Sequence, residues 1–417
     1  MEGNKNEPFF CYVPYNAPHH PFQLPDRYFQ KYKDRGLSDE VSAIYGMVEN
    51  IDDNVGKLLD YLDEQNLSEN TIVIFLSDNG PSMPRPGVGE GPRFNGGMRG
   101  RKAEVDEGSV RVPFFIRWPG RIRPATEVSI IAAHIDIFPT LLDLCELSPP
   151  EAVSIDGRSL APLFEQTTDS VEDEWPDRLI FTHQNVFGDN RMFPGGVRTQ
   201  RYRLTNRGKG YELYDMISDP GQTENVADDH PEVLQRLSRE YEDWYEQVTA
   251  AGIEAPPLPI GFSSSEIVAL QAEDSSLKGG LQFWRKIGWA HDTVTQWRNP
   301  EASVTWELDV LQEGQYEVTL MYSCPEGETG SQIEITVGER RLKSKITEAY
   351  DPRPPTEREL DHKRLETSGP VWFRTYAPLA FPAVSLQKGR TQLTVRATDI
   401  PGEEAFVLKE ARVRLLD

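Results

Sequence analysis

Thr71-Ile72-Val73-Ile74-Phe75-Leu76-Ser77-Asp78-Asn79-Gly80 sets the class of the structure. Its first six residues are β-branched or apolar throughout, as in a strand covered on both faces, and the last four carry turn chemistry. Upstream, Phe9-Phe10-Cys11-Tyr12-Val13 is a second apolar run, ended by Pro14. Between the two, Ile44, Met47, Val48, Ile51, Val55, Leu58, Leu59 and Leu62 recur every three or four residues, predicting an amphipathic helix that stops before Asn66. The three segments predict a β-α-β unit with buried parallel strands. Residues 112–118, closed by Pro119-Gly120, add a strand, and residues 135–144 return to helical spacing. An α/β layered core follows.

Past residue 178 the pattern changes. Residues 197–204 and 211–216 flank a turn-rich stretch and predict an antiparallel hairpin. Pro231 suits a first helical turn, and Val233, Leu234, Leu237, Tyr241, Trp244 and Tyr245 form one apolar face through about residue 249. Ala255-Pro256-Pro257-Leu258-Pro259 and Ser263-Ser264-Ser265 read as a linker. Beyond it, residues 304–310, 316–322, 332–337, 380–386, 391–397 and 407–416 alternate in polarity, the pattern of an all-β sandwich. The expected division is an α/β core over 1–177, a small antiparallel-sheet-plus-helix subdomain over 178–254, a linker over 255–265 and the sandwich over 266–417.

Composition removes several functions. The chain has 44 Lys plus Arg against 67 Asp plus Glu, a net charge of −23 that repels nucleic acid at long range. No apolar run approaches the roughly 20 residues needed to cross a bilayer, so no membrane span is expected. Cys11, Cys145 and Cys324 lie far apart without a CxxC spacing, which indicates neither a zinc site nor a disulfide framework.

Three clusters carry candidate chemistry. Asp78-Asn79 follows a predicted strand end and pairs a carboxylate with an amide oxygen, donors that suit a hard cation such as Ca²⁺; the same tetrapeptide is also an ordinary turn. Ala17-Pro18-His19-His20-Pro21 holds two imidazoles in a stiff loop, suited to an anionic oxygen or to proton donation, or simply to solvent. Arg99-Gly100-Arg101-Lys102 is a basic cluster in an acidic chain, either an oxyanion holder or a solvated turn.

In order along the chain these clusters resemble the sulfatases of the alkaline-phosphatase superfamily. The resemblance continues through Glu107-Gly108-Ser109-Val110-Arg111-Val112-Pro113, Trp118-Pro119-Gly120, Asp136-Ile137-Phe138-Pro139-Thr140, Asp156-Gly157-Arg158-Ser159-Leu160 and Glu212-Leu213-Tyr214-Asp215. It spans residues 8 to about 250 and is that of a type I sulfatase. It implies a sulfuric ester hydrolase with Asp78 and Asn79 as calcium ligands. His19 and Lys102 would then be catalytic, with His20 and Arg101 as substrate contacts. Glu107 to Pro113, Asp136 and the Asp156-Gly157 pair match motifs expected to be structural. A phosphatase or phosphodiesterase of the same superfamily is the nearer alternative, but those two-metal enzymes read Asp-His where this chain has Asp78-Asn79. The sandwich resembles carbohydrate-binding modules, through Ala269-Leu270-Gln271-Ala272-Glu273-Asp274 and Gly314-Gln315-Tyr316-Glu317-Val318. Trp284, Trp289, Trp297 and Trp372 are candidates for sugar stacking or for the core. The implied partner is a sulfated sugar or polysaccharide, the implied location periplasmic or secreted, and a non-catalytic glycan-binding protein is the alternative from another class.

One element of the family pattern is missing. The sulfatase nucleophile is a formylglycine made from Cys or Ser in a C/S-x-P/A-x-R motif that follows an Asp-Asp pair. Cys11-Tyr12-Val13-Pro14-Tyr15 has its proline one place late, and Ser82-Met83-Pro84-Arg85 has its arginine one place early. Asp52-Asp53 falls inside the predicted helix and Asp228-Asp229 far downstream. The expectation is therefore a sulfatase sequence that lacks its N-terminal portion, with an incomplete calcium site and no nucleophile. Such a core leaves apolar sheet surface uncovered, which predicts poor solubility for the isolated 417-residue chain; a soluble product with one cooperative unfolding transition by calorimetry would overturn this.

Overall fold

The computed structural model describes residues 7–19, 22–82, 93–149, 153–164, 175–184, 191–252, 255–262, 267–284, 286, 288, 292–352, 363–364 and 375–416. Two compact units emerge: Met1–Ile253 with Asp361–Thr367, and Glu254–Leu360 with Ser368–Asp417.

In the first unit the long helix is Asp39–Glu64, opened by Ser38, whose hydroxyl accepts from the Val41 amide at 3.3 Å. Asn66 takes a positive φ of 55° beyond its end. The apolar stripe buries Ala43, Ile44 and Met47 against Leu24, Tyr28 and Phe29, the last two from a shorter helix, Asp26–Lys33. That helix was not read from the sequence, because five of its eight residues are charged or amide-bearing and only two are buried.

Two sequence expectations are corrected here. Strand Val73–Leu76 pairs antiparallel with Phe114–Arg117, Phe75 opposite Phe115, instead of running parallel to an upstream strand. Phe9 to Val13 forms no strand; Phe10 is 85% and Tyr12 77% exposed. Pro8 and Pro14 flank this segment and remove two backbone donors, and no strand among the described residues pairs with it. Without it the β-α-β crossover has no first strand. Phe115 is consequently 64% exposed.

Residues 197–204, expected as one strand, are two. Gly195–Arg198 and Tyr202–Asn206 are joined by a tight turn in which the Thr199 amide donates to Tyr202 O at 2.8 Å and the Thr199 hydroxyl accepts from the Tyr202 amide at 2.9 Å. With Ile180–His183 and Tyr211–Asp215 they form a four-stranded antiparallel sheet in chain order. Helix Pro231–Thr249 begins on its proline and packs Leu237 and Tyr241 onto this sheet. Gly195 lies directly beneath the Tyr241 ring, where a Cβ would meet the phenol oxygen at 1.7 Å. Asp136, wholly buried, accepts from the amides of Ala133 and Arg158 and from the Arg178 guanidinium at 2.7–2.8 Å. Gly157 sits against Ile135 O, so the Asp156-Gly157 motif closes this knot.

The second unit is a sandwich of antiparallel sheets. Ser303–Val310, Gly389–Asp399, Gln332–Val337 and Arg340–Lys345 are neighbours in one; Val407–Leu416, Gly314–Ser323 and Ala377–Ala380 in the other. Val304, Trp306, Leu308 and Val310 face Tyr316, Val318 and Leu320 in one continuous core. The expected linker is partly a strand: Leu258–Ile260 pairs parallel with Leu308 to Val310, because Ile260 is fully buried in that core. Trp297, a stacking candidate, is also fully buried against Phe406, so it is a core residue. Trp289 and Trp372 lie outside the described residues. Trp306 is fully buried, its indole N–H donating to Gln271 O at 2.7 Å. Trp306→Ala is expected to destabilise the sandwich by about 3–5 kcal/mol, read as a shift of the denaturant midpoint.

Candidate active-site loops

Two of the three chemistry-bearing loops, Ser77-Asp78-Asn79-Gly80 and Arg99-Gly100-Arg101-Lys102, meet the segment Glu107-Gly108-Ser109 at a crossing of backbone segments. Strand Val73–Leu76 delivers Ser77-Asp78-Asn79-Gly80 into it. The Gly80 amide donates to Ser109 O at 2.7 Å, the Lys102 amide to Pro81 O at 3.0 Å and the Gly108 amide to Arg99 O at 2.7 Å. Ser109 Oγ donates to Arg101 O and accepts from the Glu104 amide. Only glycine fits where the segments touch: a Cβ on Gly80 would lie 2.0 Å from Gly108 O, and one on Gly108 2.8 Å from Arg99 O. Gly100 adds a φ of +92° and abuts the Asp106 side chain.

Asp78, Asn79 and Lys102 are thus brought together by main-chain bonds. Asn79 Nδ2 donates to Gly80 O at 2.9 Å, which leaves its Oδ1 as an acceptor beside the exposed Asp78 carboxylate. The Lys102 ammonium is half-buried and has no ion pair with a described residue. Arg101 is held by Glu104, Nε to Oε1 3.1 Å. His19 lies exposed in a turn closed by its own amide to Asn16 O at 3.0 Å, while His20 lies outside the described residues. Asp78 and Asn79 supply oxygen donors of the kind a hard cation takes, but two of the six to eight that Ca²⁺ requires. Among the described residues no group of three or more His, Cys, Asp or Glu side chains is placed to hold a metal.

A buried ionic network, not read from the sequence, anchors this crossing to the antiparallel sheet. Arg203 Nη2 meets Glu107 Oε2 at 2.7 Å and Arg203 Nη1 donates to Val105 O; Arg198 reaches the same carboxylate at 3.4 Å. Arg207 Nε donates to Asp106 Oδ2 at 2.8 Å, and this bond raises the guanidinium pKa further. Gln222 accepts from the Glu107 amide and donates to Asp106. Arg99 bonds the hydroxyl of Tyr214, whose phenol is pushed up by burial and then by Glu212. These bonds span about a hundred residues and cross the expected boundary at 177/178, which explains why both sides form one compact unit. No sequence signal marks Arg203 or Arg207, since an arginine on a half-polar strand, like Arg203, or in the turn after it, like Arg207, ordinarily faces solvent.

The family model "Sulfatase" matches residues 1–147, and the model "N-sulphoglucosamine sulphohydrolase, C-terminal" matches residues 101–247. A "Sulfatase" of Formosa agariphila is 32% identical over 249 residues, covering 54% of this chain and 43% of that protein. Residues 1–247 belong to the sulfatase family. An "Endo-4-O-sulfatase" of Bacteroides thetaiotaomicron is 30% identical over 278 residues, 57% of this sulfatase chain and 52% of that protein. Among solved structures, Ps i-CgsB in complex with k-i-k-neocarrahexaose is 27% identical with a TM-score of 0.49, covering 58% of this chain and 51% of that one. The sulfatase chain therefore spans about half the length of these relatives. No helix among its described residues is long and apolar enough to cross a membrane.

The glycine crossing makes a direct demand. Gly80→Ala is expected to cost about 2–3 kcal/mol by overpacking against backbone, whereas Gly56→Ala, at an open helical position, is expected to be neutral or stabilising; chemical denaturation of the two variants checks the contrast.

Proposed function

We propose that this chain carries sulfate-recognition elements of a sulfuric ester hydrolase acting on sulfated sugars. The observation that carries the reading is the main-chain coupling of Asp78-Asn79 to Lys102 through Pro81 and Ser109. It ties the backbone of a lysine that has no ion pair with a described residue to the segment carrying two oxygen donors, which supports a reading in which an ester sulfate is held between a hard metal and a lysine. In this reading Asp78 and Asn79 would hold calcium, whose charge would polarise a sulfate oxygen when bound. Lys102 pairs with the sulfate and opposes its developing negative charge. His19 donates to the sulfate or protonates the leaving oxygen, and His20 and Arg101 flank the sugar. Two relatives from Bacteroides thetaiotaomicron, the "Endo-4-O-sulfatase" and an "N-acetylgalactosamine-6-O-sulfatase" 27% identical over 252 residues, 56% of this chain and 47% of that protein, support a sulfated sugar as substrate, and the periplasmic or secreted setting is part of the same proposal.

The sequence holds no C/S-x-P/A-x-R motif, and on this reading the chain by itself binds without turning over. The domain assignment that goes with this is a sulfatase core and subdomain up to about residue 254 and a carbohydrate-binding-like sandwich after it. One observation favours a purely glycan-binding role. Trp284 is 49% exposed and next in sequence to Phe283, which with Leu277, Leu281, Gln282 and Lys286 lines a cleft of about 430 Å³.

Isothermal titration of the full chain with N-acetylgalactosamine 6-sulfate, in calcium and in chelator, tests the main reading. Binding is expected to weaken at least about tenfold, or 1.4 kcal/mol, in Lys102→Ala, and to lose its calcium dependence in Asp78→Ala, with no sulfate released. Undiminished binding by Lys102→Ala would overturn the site, and sulfate release by the chain alone would overturn the assignment of the nucleophile elsewhere.

A further inference from the structure

Strand Arg340–Lys345 forms one edge of the sandwich sheet that contains Ser303–Val310. Leu342 packs toward the core, which turns Arg341, Lys343 and Lys345 outward, all three exposed. Along a strand, alternate residues repeat about every 7 Å, so these cations form a stripe about 14 Å long. The stripe broadens inward: Glu334, opposite Lys343, is in turn opposite Arg396 two strands from the edge, and Arg396 is exposed. Glu334 pairs with Lys343 at 3.5 Å. Arg341, Lys345 and Arg396 have no ion pair with a described residue. The other acidic groups nearby are Glu339 in the turn, Asp399 opposite Gln332, and Glu307, two residues from Thr305 on the same face and bonded by Gln392 at 2.6 Å. Beside Arg341 runs a row of hydroxyls, Thr336, Thr394 and Thr305, the last two bonded to each other at 3.0 Å.

We infer that this face, Arg341, Lys343, Lys345 and Arg396 with the threonine row, is a non-catalytic binding surface for a sulfated polysaccharide. Edge cations alone guard a sheet against pairing with another chain. That task needs no third-strand arginine, and it gives no reason for three cations to stay without an ion pair to any described residue in a chain with 67 acidic residues. Salt screens the net charge of −23 beyond about 10 Å, so a polyanion lying on the stripe feels the local cations first. Nucleic-acid grooves add aromatic side chains for base stacking. The outward positions of this face, among the described residues, are Thr, Gln, Glu, Asp, Lys and Arg without an aromatic. Hydroxyls beside cations instead match the alternation of sugar hydroxyl and sulfate. The choice of sulfate over carboxylate rests on the sulfatase reading; the stripe and its test do not.

Biolayer interferometry of the full chain on immobilised dextran sulfate, dextran and single-stranded oligothymidylate decides this. Expected are binding to dextran sulfate and not to dextran, and an affinity that falls roughly 20- to 50-fold between 50 and 200 mM salt, as displacement of counterions by three to four cations gives. The triple variant Arg341→Glu/Lys343→Glu/Lys345→Glu is expected to lose at least about tenfold. A control of equal charge change on the first unit, Lys209→Glu/Arg236→Glu/Arg239→Glu, is expected to bind as before. An unchanged thermal midpoint of the first triple shows that its loss is not unfolding. No binding, equal binding to dextran or to oligothymidylate, or equal loss in both triples would overturn the inference. None of these readouts depends on calcium, Lys102 or sulfate release, so this surface and the hydrolase reading fail separately.

Discussion

The approach of three backbone segments at Gly80, Gly100 and Gly108 is the constraint on which the first unit depends. Main chains meet there with no side chain between them, and the bonds from Gly80 to Ser109, Lys102 to Pro81 and Gly108 to Arg99 are possible only at that separation. The helix Glu107–Val110 that organises the crossing is a single turn, too short to persist by its own hydrogen bonds. Its position must come from outside. Two consecutive carboxylates, Asp106 and Glu107, provide it by reaching arginines on the antiparallel sheet.

Those ion pairs are buried, so their contribution is conditional. Taking Asp106, Glu107 and Arg203 out of water costs several kcal/mol per ion, offset only when each charge is fully bonded. Here each is bonded at several points. Glu107 meets three guanidinium groups, those of Arg203, Arg198 and Arg111, Arg203 also bonds Val105 O, and Gln222 accepts from the Glu107 amide and donates to Asp106. The opposing pressures show in the arginines: burial lowers the pKa of Arg198, whereas the bond to Asp106 raises that of Arg207. Removing one partner strands the other, so the placement of Lys102 depends on residues about a hundred positions away.

The sandwich is stabilised by other means. Its strands largely alternate, and one apolar core from Ile260 to Val413 takes in both sheets. The polar outward positions are left free to evolve for binding without disturbing the interior. In the first unit, by contrast, Phe10, Tyr12 and Phe115 remain largely exposed although their sequence is that of covered strands. Apolar pattern and burial disagree there, because covering a strand requires a neighbour that the pattern itself does not supply.

Properties that depend on neighbours within a few positions were legible in the residues alone. Helical spacing gave the helix Asp39–Glu64, the proline and apolar face gave Pro231–Thr249, and alternation gave the long strands of the sandwich. The ordered motifs from Asp78 to Asp215 gave the sulfatase family. Only the tertiary structure decided that Val73–Leu76 pairs antiparallel with Phe114–Arg117, that Leu258–Ile260 is a strand and not a spacer, that Trp297 is core, and that Arg203 and Arg207 turn inward to Glu107 and Asp106. Periodicity states that a face will be covered. The covering element is chosen by contacts between residues far apart in the chain, where local propensity carries no information.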